Sequence, residues 1–454
     1  MKRHSQTSNA TRPGTPRRCD ADVPLGFLDA WQRALGTWVP TLPTRRGRPP
    51  RVPLTEVLPA LTYHVLRGPG TLAAHFAELF GEPFADSSWS DRRTRLPWEI
   101  FADLMRHALR PQATRRHRDS FWRGWRLVAL DGTQFSLTNT PQMARSLRKA
   151  ITRRGRAAFA KLTTVVLLEV GWHNPLAAAI GRHGQSEWRL SQGLLAQLPG
   201  RALLLADRLY GCAAFAAEAC VACQRVGSHF LMRARTNIKP QILHRFADGS
   251  RLIRVTVYEK RGRQSRPAST LEVREIRARV GRPGYRTVEV RLWTSLLEPK
   301  TAPALELVQL YTRRWEHEVY YRELKRQLRR TEVLQSHTLE TAAQEVAALL
   351  LVSALLARER ARAAVGETPV LRVSFSTVLD IVRTMWLFFG VFEDLISDRQ
   401  KRQIVARGYD LIGGSVTAKR PPRTCLRAVR QPVRRWPRLL KTKSVEGPFH
   451  VQVL

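Results

Sequence analysis

The stretch KLTTVVLLEVGWHNPLAAAIGRHG, residues 161–184, holds two apolar runs on either side of the segment GWHNP. Short runs of this kind, bounded by Gly, Asn and Pro, are typical of two β-strands joined by a hairpin turn. The preceding run RLVALDGTQFSL, residues 126–137, is apolar up to Asp131 and then alternates between polar and apolar residues, which predicts a third strand. We therefore expect three consecutive strands in one sheet.

Helices and strands alternate after this hairpin. SEWRLSQGLLAQLPG, residues 186–200, has a serine suited to cap a helix and a closing glycine, and RALLLADRLYG, residues 201–211, reads as an apolar strand that ends at Asp207. An alanine-rich helix over residues 212–226 precedes another strand, SHFLMRAR, at residues 228–235. The order of three strands, helix, strand, helix and strand is that of a ribonuclease-H-like core.

The charge of the chain is its most unusual bulk property. Its 454 residues include 76 Lys and Arg against 37 Asp and Glu, a net charge of +39. Such an excess favours a polyanionic partner, above all nucleic acid. We expect no membrane association, because the longest apolar run, residues 346–357, is shorter than the roughly 20 residues of a membrane span and better suits a buried helix.

Changes in composition divide the chain into segments and predict an α+β fold. The segments are a mobile basic arm (1–50), an N-terminal helical DNA-binding domain (51–118), the first part of the ribonuclease-H-like core (119–235), an inserted antiparallel β-domain (236–298), the second part of the core with a helix that carries Glu318 (299–362), a C-terminal helical region (363–398) and a basic, extended or partly ordered tail (399–454). For the N-terminal helices, a helix-turn-helix module with the basic turn Arg92, Arg93 and Arg95 and a plain helical packing domain are equally compatible with the sequence.

Two aspartates stand where apolar strands end. Asp131 and Asp207 each follow a run of apolar residues, and a carboxylate near a buried strand is unfavourable unless something pairs with it. A divalent cation such as Mg²⁺ does so, because it prefers hard oxygen ligands. The structural alternative is that Asp131 opens an Asp-Gly turn and Asp207 caps the next helix.

A third carboxylate lies on the helical segment LYTRRWEHEVYYRELKRQLRR, residues 310–330. On one helix Tyr311, Arg314, Glu318 and Lys325 share a stripe about 60° wide. Apolar residues flank this stripe on both sides, as expected of a helix at the wall of a cleft; a solvated face with intrahelical ion pairs is the alternative.

These residues together predict a metal-dependent phosphodiester site. Asp131, Asp207 and Glu318 could hold two ions that activate water and stabilise the leaving oxygen. Arg314 and Lys325 are placed to hold phosphates, and Tyr311 could bond a phosphate or stack on a base. Arg208 is a further candidate phosphate contact, or else an ordinary surface arginine.

The spacing Tyr-x2-Arg-x3-Glu-x6-Lys, from Tyr311 to Lys325, resembles the signature of the insertion-sequence-four family of bacterial DDE transposases. LDGTQFSL resembles the strand that carries the family's first aspartate, and LLLADRLYG the strand that carries its second. The β-strands before the glutamate helix also match the family's architecture. The resemblance covers about residues 54–362.

The resemblance implies a cut-and-paste transposase that acts as a homodimer on double-stranded DNA, namely the terminal inverted repeats and the target. It implies that Asp131, Asp207 and Glu318 are the catalytic residues and hold two Mg²⁺ or Mn²⁺ ions. It also implies that the protein works in the bacterial cytoplasm at the nucleoid. Family members form and reopen a DNA hairpin, in some cases with a tryptophan that grips a flipped base. Trp293 is the candidate for that role here, although its segment RLWTSL, residues 291–296, could equally be a core strand.

Two other functions remain open from the sequence. A metal-dependent nuclease could use the same site to hydrolyse DNA without strand transfer. A catalytically silent DNA-binding protein could occupy the repeats, although the acidic triad would then have no purpose. All three functions predict salt-sensitive DNA binding.

Overall fold

The computed structural model describes residues 23–40, 52–152, 155–261, 264–281, 287–329, 331–419 and 450–453. The predicted arm and the predicted tail lie partly outside these ranges. The described strands are β1 (Phe121–Trp122), β2 (Trp125–Ser136), β3 (Ile151–Thr152), β4 (Gly155–Arg156), β5 (Lys161–Glu169), β6 (Asn174–Ile180), β7 (Ala202–Ala206), β8 (His229–Arg233), β9 (Gln241–Arg245), β10 (Arg251–Arg261), β11 (Gln264–Gly281), β12 (Val288–Thr294) and β13 (His450–Val453).

The helices lie mainly at the two ends of the described chain. They are α1 (Phe27–Leu35), α2 (Leu54–Arg67), α3 (Leu72–Phe80), α4 (Asp86–Thr94), α5 (Trp98–Ala108), α6 (Pro141–Ser146), α7 (Glu187–Leu195), α8 (Ala213–Arg225), α9 (Ala304–Tyr311), α10 (Trp315–Arg322), α11 (Leu339–Ala363), α12 (Phe375–Val391) and α13 (Asp398–Gly414).

One large mixed sheet organises the protein. Its strand order is β6-β5-β2-β7-β8-β12-β11-β10-β9, with β1 added beside β2 and β13 beside β11. Strands β6, β5 and β2 are antiparallel, whereas β2, β7 and β8 are parallel. The carboxyl ends of β2, β7 and β8 therefore point in the same direction, which gathers the residues that follow them.

The strands over residues 236–298 extend this sheet. Strand β12 pairs antiparallel with β8, with Leu292 opposite Arg233, and β11, β10 and β9 follow in antiparallel order. The antiparallel arrangement is the one predicted from the alternating sequence. Their hydrogen bonds continue those of β2, β7 and β8, so all of these strands belong to one sheet.

Helices cover both faces of the central strands. Alternate residues of a strand point to opposite faces, and β2 shows this clearly. Val128 belongs to the same buried cluster as Phe215 of α8 on one face, while Leu127 belongs to the same cluster as Leu307 of α9 on the other. All four side chains are fully buried, which explains why β2 and β7 are almost continuously apolar.

The N-terminal helices share a core with the C-terminal ones. Leu58 of α2 and Leu104 of α5 belong to the same buried cluster as Leu350 of α11 and Val378 of α12. Helix α11 is long and apolar enough to cross a membrane by length and composition, but 83% of its most apolar window is buried inside the protein. It is the central helix of this cluster.

Two predictions about the chain ends are wrong where the structure describes them. Helix α1 lies within the predicted mobile arm, yet its Phe27 and Trp31 are buried against the N-terminal helices. Helix α13 lies within the predicted extended tail, begins with a capping box at Ser397 and buries Ile412. Basic composition misled the prediction, because charged residues such as Arg33 of α1 and Arg402 of α13 are exposed while apolar residues of the same helices pack inward.

Candidate active site

The strand register places Asp131 and Asp207 side by side. Leu130 of β2 pairs with Ala206 of β7 in the parallel ladder, so the two aspartates occupy the next positions of adjacent strands. The Oδ1 atom of Asp131 accepts a hydrogen bond from the backbone N–H of Gly132 at 2.9 Å. The Oδ1 atom of Asp207 accepts one from the backbone N–H of Leu209 at 2.6 Å. Both carboxylates are thereby held at the edge of the sheet.

The environment of Asp131 disfavours its negative charge. Burial, and then the negative charge of Asp207, raise the pKa of Asp131 to about 7, although Arg314 acts to lower it. The hydroxyl of Tyr321, in α10, donates to the backbone carbonyl of Asp131 at 2.6 Å. Strand β2 continues from Asp131 to Ser136 and does not end at Asp131 as the sequence suggested. Asp131 is thus firmly positioned and short of positive charge.

The predicted long helix is interrupted but continues in one direction. Helix α9 leads through a 3₁₀ turn, Thr312–Arg314, into α10, and a π-helical turn, Glu323–Leu328, follows. π-Helical turns inside helices are often found at functional sites. Despite these changes in winding, the stripe predicted from regular helical geometry contacts β2 and β7, as its individual contacts show.

Arg314 joins the third carboxylate to the first. Its Nη1 atom donates to Asp131 Oδ2 at 3.4 Å, and its Nη2 atom donates to Glu318 Oε1 at 3.2 Å. Burial would lower the pKa of Arg314, but the negative charges around it, including those of Asp131 and Glu318, raise it overall. The Nε atom is buried without a hydrogen-bond partner among the described residues. Arg314 therefore stays charged and bridges the carboxylates.

Tyr311 and Lys325 each contact one of the two strands that carry the aspartates. The hydroxyl of Tyr311 donates to the carbonyl of Ala206, directly before Asp207, at 3.2 Å. The Nζ atom of Lys325 donates to the carbonyl of Gln134 at 2.7 Å. Burial, followed by the positive charges of Arg329 and Lys161, lowers the pKa of Lys325 to about 8.

The donor set of Asp131, Asp207 and Glu318 suits a divalent cation, because carboxylate oxygens are the ligands that Mg²⁺ and Mn²⁺ prefer. Among the described residues, however, no three acidic, histidine or cysteine side chains form a ready metal-binding cluster. The guanidinium of Arg314 lies between Asp131 and Glu318. For the three carboxylates to surround metal ions, Arg314 would therefore have to break its contact with Asp131 or with Glu318.

The remaining predicted contacts lie elsewhere. Arg208 is exposed, follows Asp207 directly along the chain and donates to Thr236 Oγ1 at 3.4 Å. Trp293 is fully buried, and its Nε1 atom donates to Glu275 Oε2 at 3.2 Å. This placement contradicts the hypothesis that Trp293 grips a flipped base. Its ring fills the core beneath the sheet, because it lies on the face of β12 that α8 covers.

One carboxylate near the site was missed from the sequence. Glu187, the first residue of α7, accepts a hydrogen bond from the hydroxyl of Tyr210 at 2.8 Å. Its side chain lies over Gly132, where an added Cβ atom would come within 2.2 Å of Glu187 Cδ. Burial, and then the charge of Asp207, raise the pKa of Glu187 although Tyr210 lowers it. An acidic residue in the first turn is ordinary for helices, so nothing in the sequence singled it out.

A network of buried hydrogen bonds holds α10 and the π-helical turn that follows it. The Nδ1 and Nε2 atoms of His173, in the turn between β5 and β6, lie 2.6 Å from Glu323 Oε2 and 3.0 Å from Glu316 Oε2. Arg360 of α11 also contacts Glu323, at 3.4 Å. Burial alone would lower the pKa of His173, but the two glutamates raise it. These contacts fix the helix that carries Glu318.

Comparison with known proteins places the chain in a family. The model of the transposase DDE domain family matches residues 122–355. Transposase InsG for insertion sequence element IS4, from Escherichia coli K12, is 26% identical over 233 residues, which cover 51% of this chain and 51% of InsG. InsZ from the same strain, whose name assigns it provisionally as a transposase, is 30% identical over 108 residues, 24% of this chain and 36% of InsZ.

The matched region contains the whole candidate site, from β2 through α10. The chain belongs to the transposase DDE domain family. The similarity to InsG, a transposase of insertion sequence element IS4, agrees with the resemblance to the insertion-sequence-four family that the spacing from Tyr311 to Lys325 implied. The chain spans about half of the length of InsG and about a third of that of InsZ.

Proposed function

We propose that this chain is a transposase of a bacterial insertion sequence that binds terminal inverted repeats and catalyses metal-dependent DNA cleavage and strand transfer. The observation that carries the proposal is the adjacent placement of Asp131 and Asp207, with Glu318 joined to Asp131 through Arg314. We call these three carboxylates and the strand positions beside them the catalytic edge. Three carboxylates gathered in this way, in a chain of net charge +39, suit chemistry on a phosphate backbone.

The proposal includes a ribonuclease-H-like core. Strands β6, β5, β2, β7 and β8 have the order and direction expected of it, with three antiparallel strands followed by two parallel to β2. Residues 119–235 and 299–362 then form the two parts of the core, and residues 236–298 form the insertion. The helices of residues 51–118 are the proposed end-binding domain.

In this proposal Asp131, Asp207 and Glu318 hold two Mg²⁺ or Mn²⁺ ions. Such ions activate water and stabilise the leaving oxygen of a phosphodiester. Arg314 changes its role when DNA binds: its guanidinium, which neutralises carboxylates in the free protein, can form paired hydrogen bonds with a phosphate. Its unpartnered Nε atom gives it a free donor.

Lys325 and Tyr311 orient the DNA on either side of the carboxylates. Lys325 sits over the ring of Phe135 at 5.1 Å, which directs its ammonium along the end of β2. Tyr311 holds the strand end before Asp207, and Arg208 follows Asp207 directly. We propose phosphate contacts for Lys325 and Arg208, and a positioning role for Tyr311.

The partners follow from the same proposal. Double-stranded DNA is the substrate, as transposon ends and as target, and two copies of the chain act together as a homodimer. The site of action is the bacterial cytoplasm at the nucleoid. InsG is a transposase by name, and the residues that match the transposase DDE domain model contain the candidate site.

Cleavage of DNA that carries the element's own ends tests the proposal. The intact protein should cut with Mg²⁺ or Mn²⁺, whereas Glu318→Gln should bind this DNA and fail to cut it. Glu340→Gln provides the control, because Glu340 is as exposed as Glu318, 40% against 39%, and lies on α11 away from the site. Equal cutting by the intact protein and Glu318→Gln would contradict the proposal.

The same assay separates the alternative functions. Cleavage without joining to a target duplex would indicate a nuclease. Binding without cleavage by the intact protein would indicate a catalytically silent DNA-binding protein.

A further inference from the structure

A groove lined by arginines begins beside the second aspartate. It has a volume of about 520 Å³, and its lining includes Arg208, Arg233, Arg251, Arg277 and Arg291. Ala206 pairs with Met232, so Arg233 comes next to the position of Asp207 on the neighbouring strand. The groove therefore continues from the catalytic edge across strands β8, β12, β11 and β10.

One buried carboxylate organises the arginines of this groove. Glu275 of β11 is fully buried and accepts hydrogen bonds from the Nε atoms of Arg251 at 2.8 Å, Arg277 at 3.2 Å and Arg291. One negative charge thus holds three positive charges in place. A cluster with this excess of positive charge is suited to bind an anion, because the guanidinium groups are already gathered and oriented.

Arg291 has one buried donor without a hydrogen-bond partner among the described residues. The residue is only 8% exposed, and its Nη1 atom donates to the carbonyls of Arg235 at 3.2 Å and Ile238 at 2.8 Å. Its Nη2 atom is buried and has no hydrogen-bond partner among the described residues. Buried donors are nearly always paired in folded proteins, with protein groups or with ordered water, so this donor is one that an anion bound in the groove would satisfy.

The groove is connected to the catalytic edge through the backbone. Arg291 donates to the carbonyl of Arg235, and the Nη2 atom of Arg235 donates to the carbonyl of Leu209 at 2.7 Å. Leu209 in turn donates its backbone N–H to Asp207. An anion bound at Arg291 is therefore held in a fixed position relative to Asp207.

We propose that this groove binds the phosphate backbone of duplex DNA where the duplex continues past the catalytic edge. The inference deepens the proposed function and rests on it for the direction of the DNA, but the binding itself does not require cleavage. A duplex is favoured over a single strand because none of the lining residues is aromatic. Sites for single strands combine positive charge with aromatic rings on which the bases stack.

Equilibrium binding to the full chain without metal tests the proposal. The probes are a labelled mixed-sequence duplex and a single strand of the same length, each titrated over a range of salt concentrations. The variant Arg251→Gln/Arg277→Gln removes two groove charges, and Arg254→Gln/Arg266→Gln removes two exposed charges from the same two strands outside the groove.

We expect the groove variant to bind the duplex about tenfold more weakly at low salt, and its plot of log K against log salt to be shallower by about 2, as two lost phosphate contacts require. The control variant should show a much smaller change in both quantities. The affinity for the single strand should change less than that for the duplex.

Two results would overturn the proposal. Duplex binding by the groove variant that matches the control variant would remove the groove as a DNA site. A loss confined to the single strand would assign the groove to a displaced strand instead. If the double variant unfolds at a lower temperature, Arg277→Gln alone carries the test, because the Arg277 side chain is 46% exposed.

The result is distinguishable from failure of the proposed function. If the intact protein does not cut DNA but the groove variant loses duplex affinity, the groove stands and the catalytic proposal fails. If cleavage depends on Glu318 but the groove variant binds as the control does, only the groove proposal fails.

Discussion

Asp131 lies in an environment where its ionised carboxylate is unfavourable unless a positive charge lies beside it. Its pKa is raised to about 7 by burial and by Asp207, and the contact with Arg314 at 3.4 Å offsets this only in part. Arg314 serves Glu318 as well, so three acidic residues share one nearby guanidinium. At the residue scale, the site is built to accept more positive charge than the described chain supplies.

Gly132 is required because Glu187 occupies the space of a side chain. In Gly132→Ala the new methyl group would meet the end of the Glu187 side chain at 2.2 Å, and that flexible end would move away from Tyr210. We expect the free energy of unfolding to fall by about 1 kcal/mol and DNA cleavage to slow about ten- to hundredfold through misplacement. Chemical denaturation and the cleavage assay measure the two effects.

A double-mutant cycle provides the critical comparison for this contact. Glu187→Ala should restore the stability lost in Gly132→Ala, so that the two changes are not additive. Gly193→Ala in α7 is the control, because an added Cβ atom there meets nothing within 4 Å. Additive effects at residues 132 and 187 would contradict the steric explanation.

Lys325 should make stability depend on pH. Its pKa in the folded protein is about 8, against about 10.4 in an unfolded chain, so the folded state binds the proton less well. The resulting loss of stability, about 1 to 3 kcal/mol, is present in full below pH 8 and disappears as pH rises through the unfolded pKa. Relative to Lys325→Met, the intact protein should therefore become more stable as the pH rises from 7 to 10.

Thermal unfolding of both proteins across this pH range measures the difference. Lys300→Met removes the same charge from an exposed position and serves as the control. A difference between Lys325→Met and the intact protein that stays constant with pH would show that Lys325 is not held in an unfavourable environment.

At the scale of single elements, α13 shows how a basic segment becomes part of the core. Its capping box at Ser397 and its buried Ile412 establish the helix, and Tyr409 reaches the buried carboxylate of Glu359 on α11. The helix thus supplies a hydrogen-bond donor to a group that would be unfavourable without one. α13 is a structural element of the protein, not a tail.

Removal of this donor should therefore destabilise the fold. We expect Tyr409→Phe to lower the free energy of unfolding by about 1 to 3 kcal/mol, because Glu359 is 2% exposed and loses a partner. Tyr258→Phe is the matched control, since Tyr258 is 54% exposed on β10. Urea denaturation compares them, and equal midpoints would mean that α13 contributes little to the core.

At the scale of the whole molecule, one buried cluster joins the two ends of the described chain. Arg93, which one of the two interpretations of the sequence placed in a basic turn for DNA, donates to Ser336 Oγ at 3.2 Å and to the carbonyl of Thr341 at 3.0 Å. Gln344 of α11 donates back to the Arg93 carbonyl at 2.8 Å. The N-terminal helices are therefore tied to α11 by polar contacts as well as by apolar packing.

This connection predicts that the two regions unfold together. Arg93→Ala should lower the free energy of unfolding by about 2 kcal/mol or more, since it leaves several buried groups unpaired. Arg95→Ala should cost no more than about 0.5 kcal/mol, because its side chain is 69% exposed and pairs with Asp91 on the surface. Two separate unfolding transitions, or equal effects of the two changes, would contradict a shared core.

The predictable features were those encoded by local patterns. The apolar runs marked β2, β5, β6 and β7, because a buried strand needs a continuous apolar stretch. The helical spacing of Tyr311, Arg314, Glu318 and Lys325 indicated a shared face even though the helix contains 3₁₀ and π turns. The hypothesis that Trp293 grips a flipped base was wrong, because the alternation of β12 does not reveal which face of the strand is covered.

The sequence by itself determined where the central strands lie along the chain and that each aspartate follows an apolar run, because both depend on residues that are neighbours along the chain. Only the tertiary structure decided that Glu187 lies over Gly132, that Glu275 gathers three arginines and that α1 and α13 belong to the core. These features depend on contacts between residues far apart in the chain, and the packing of the whole molecule sets those contacts.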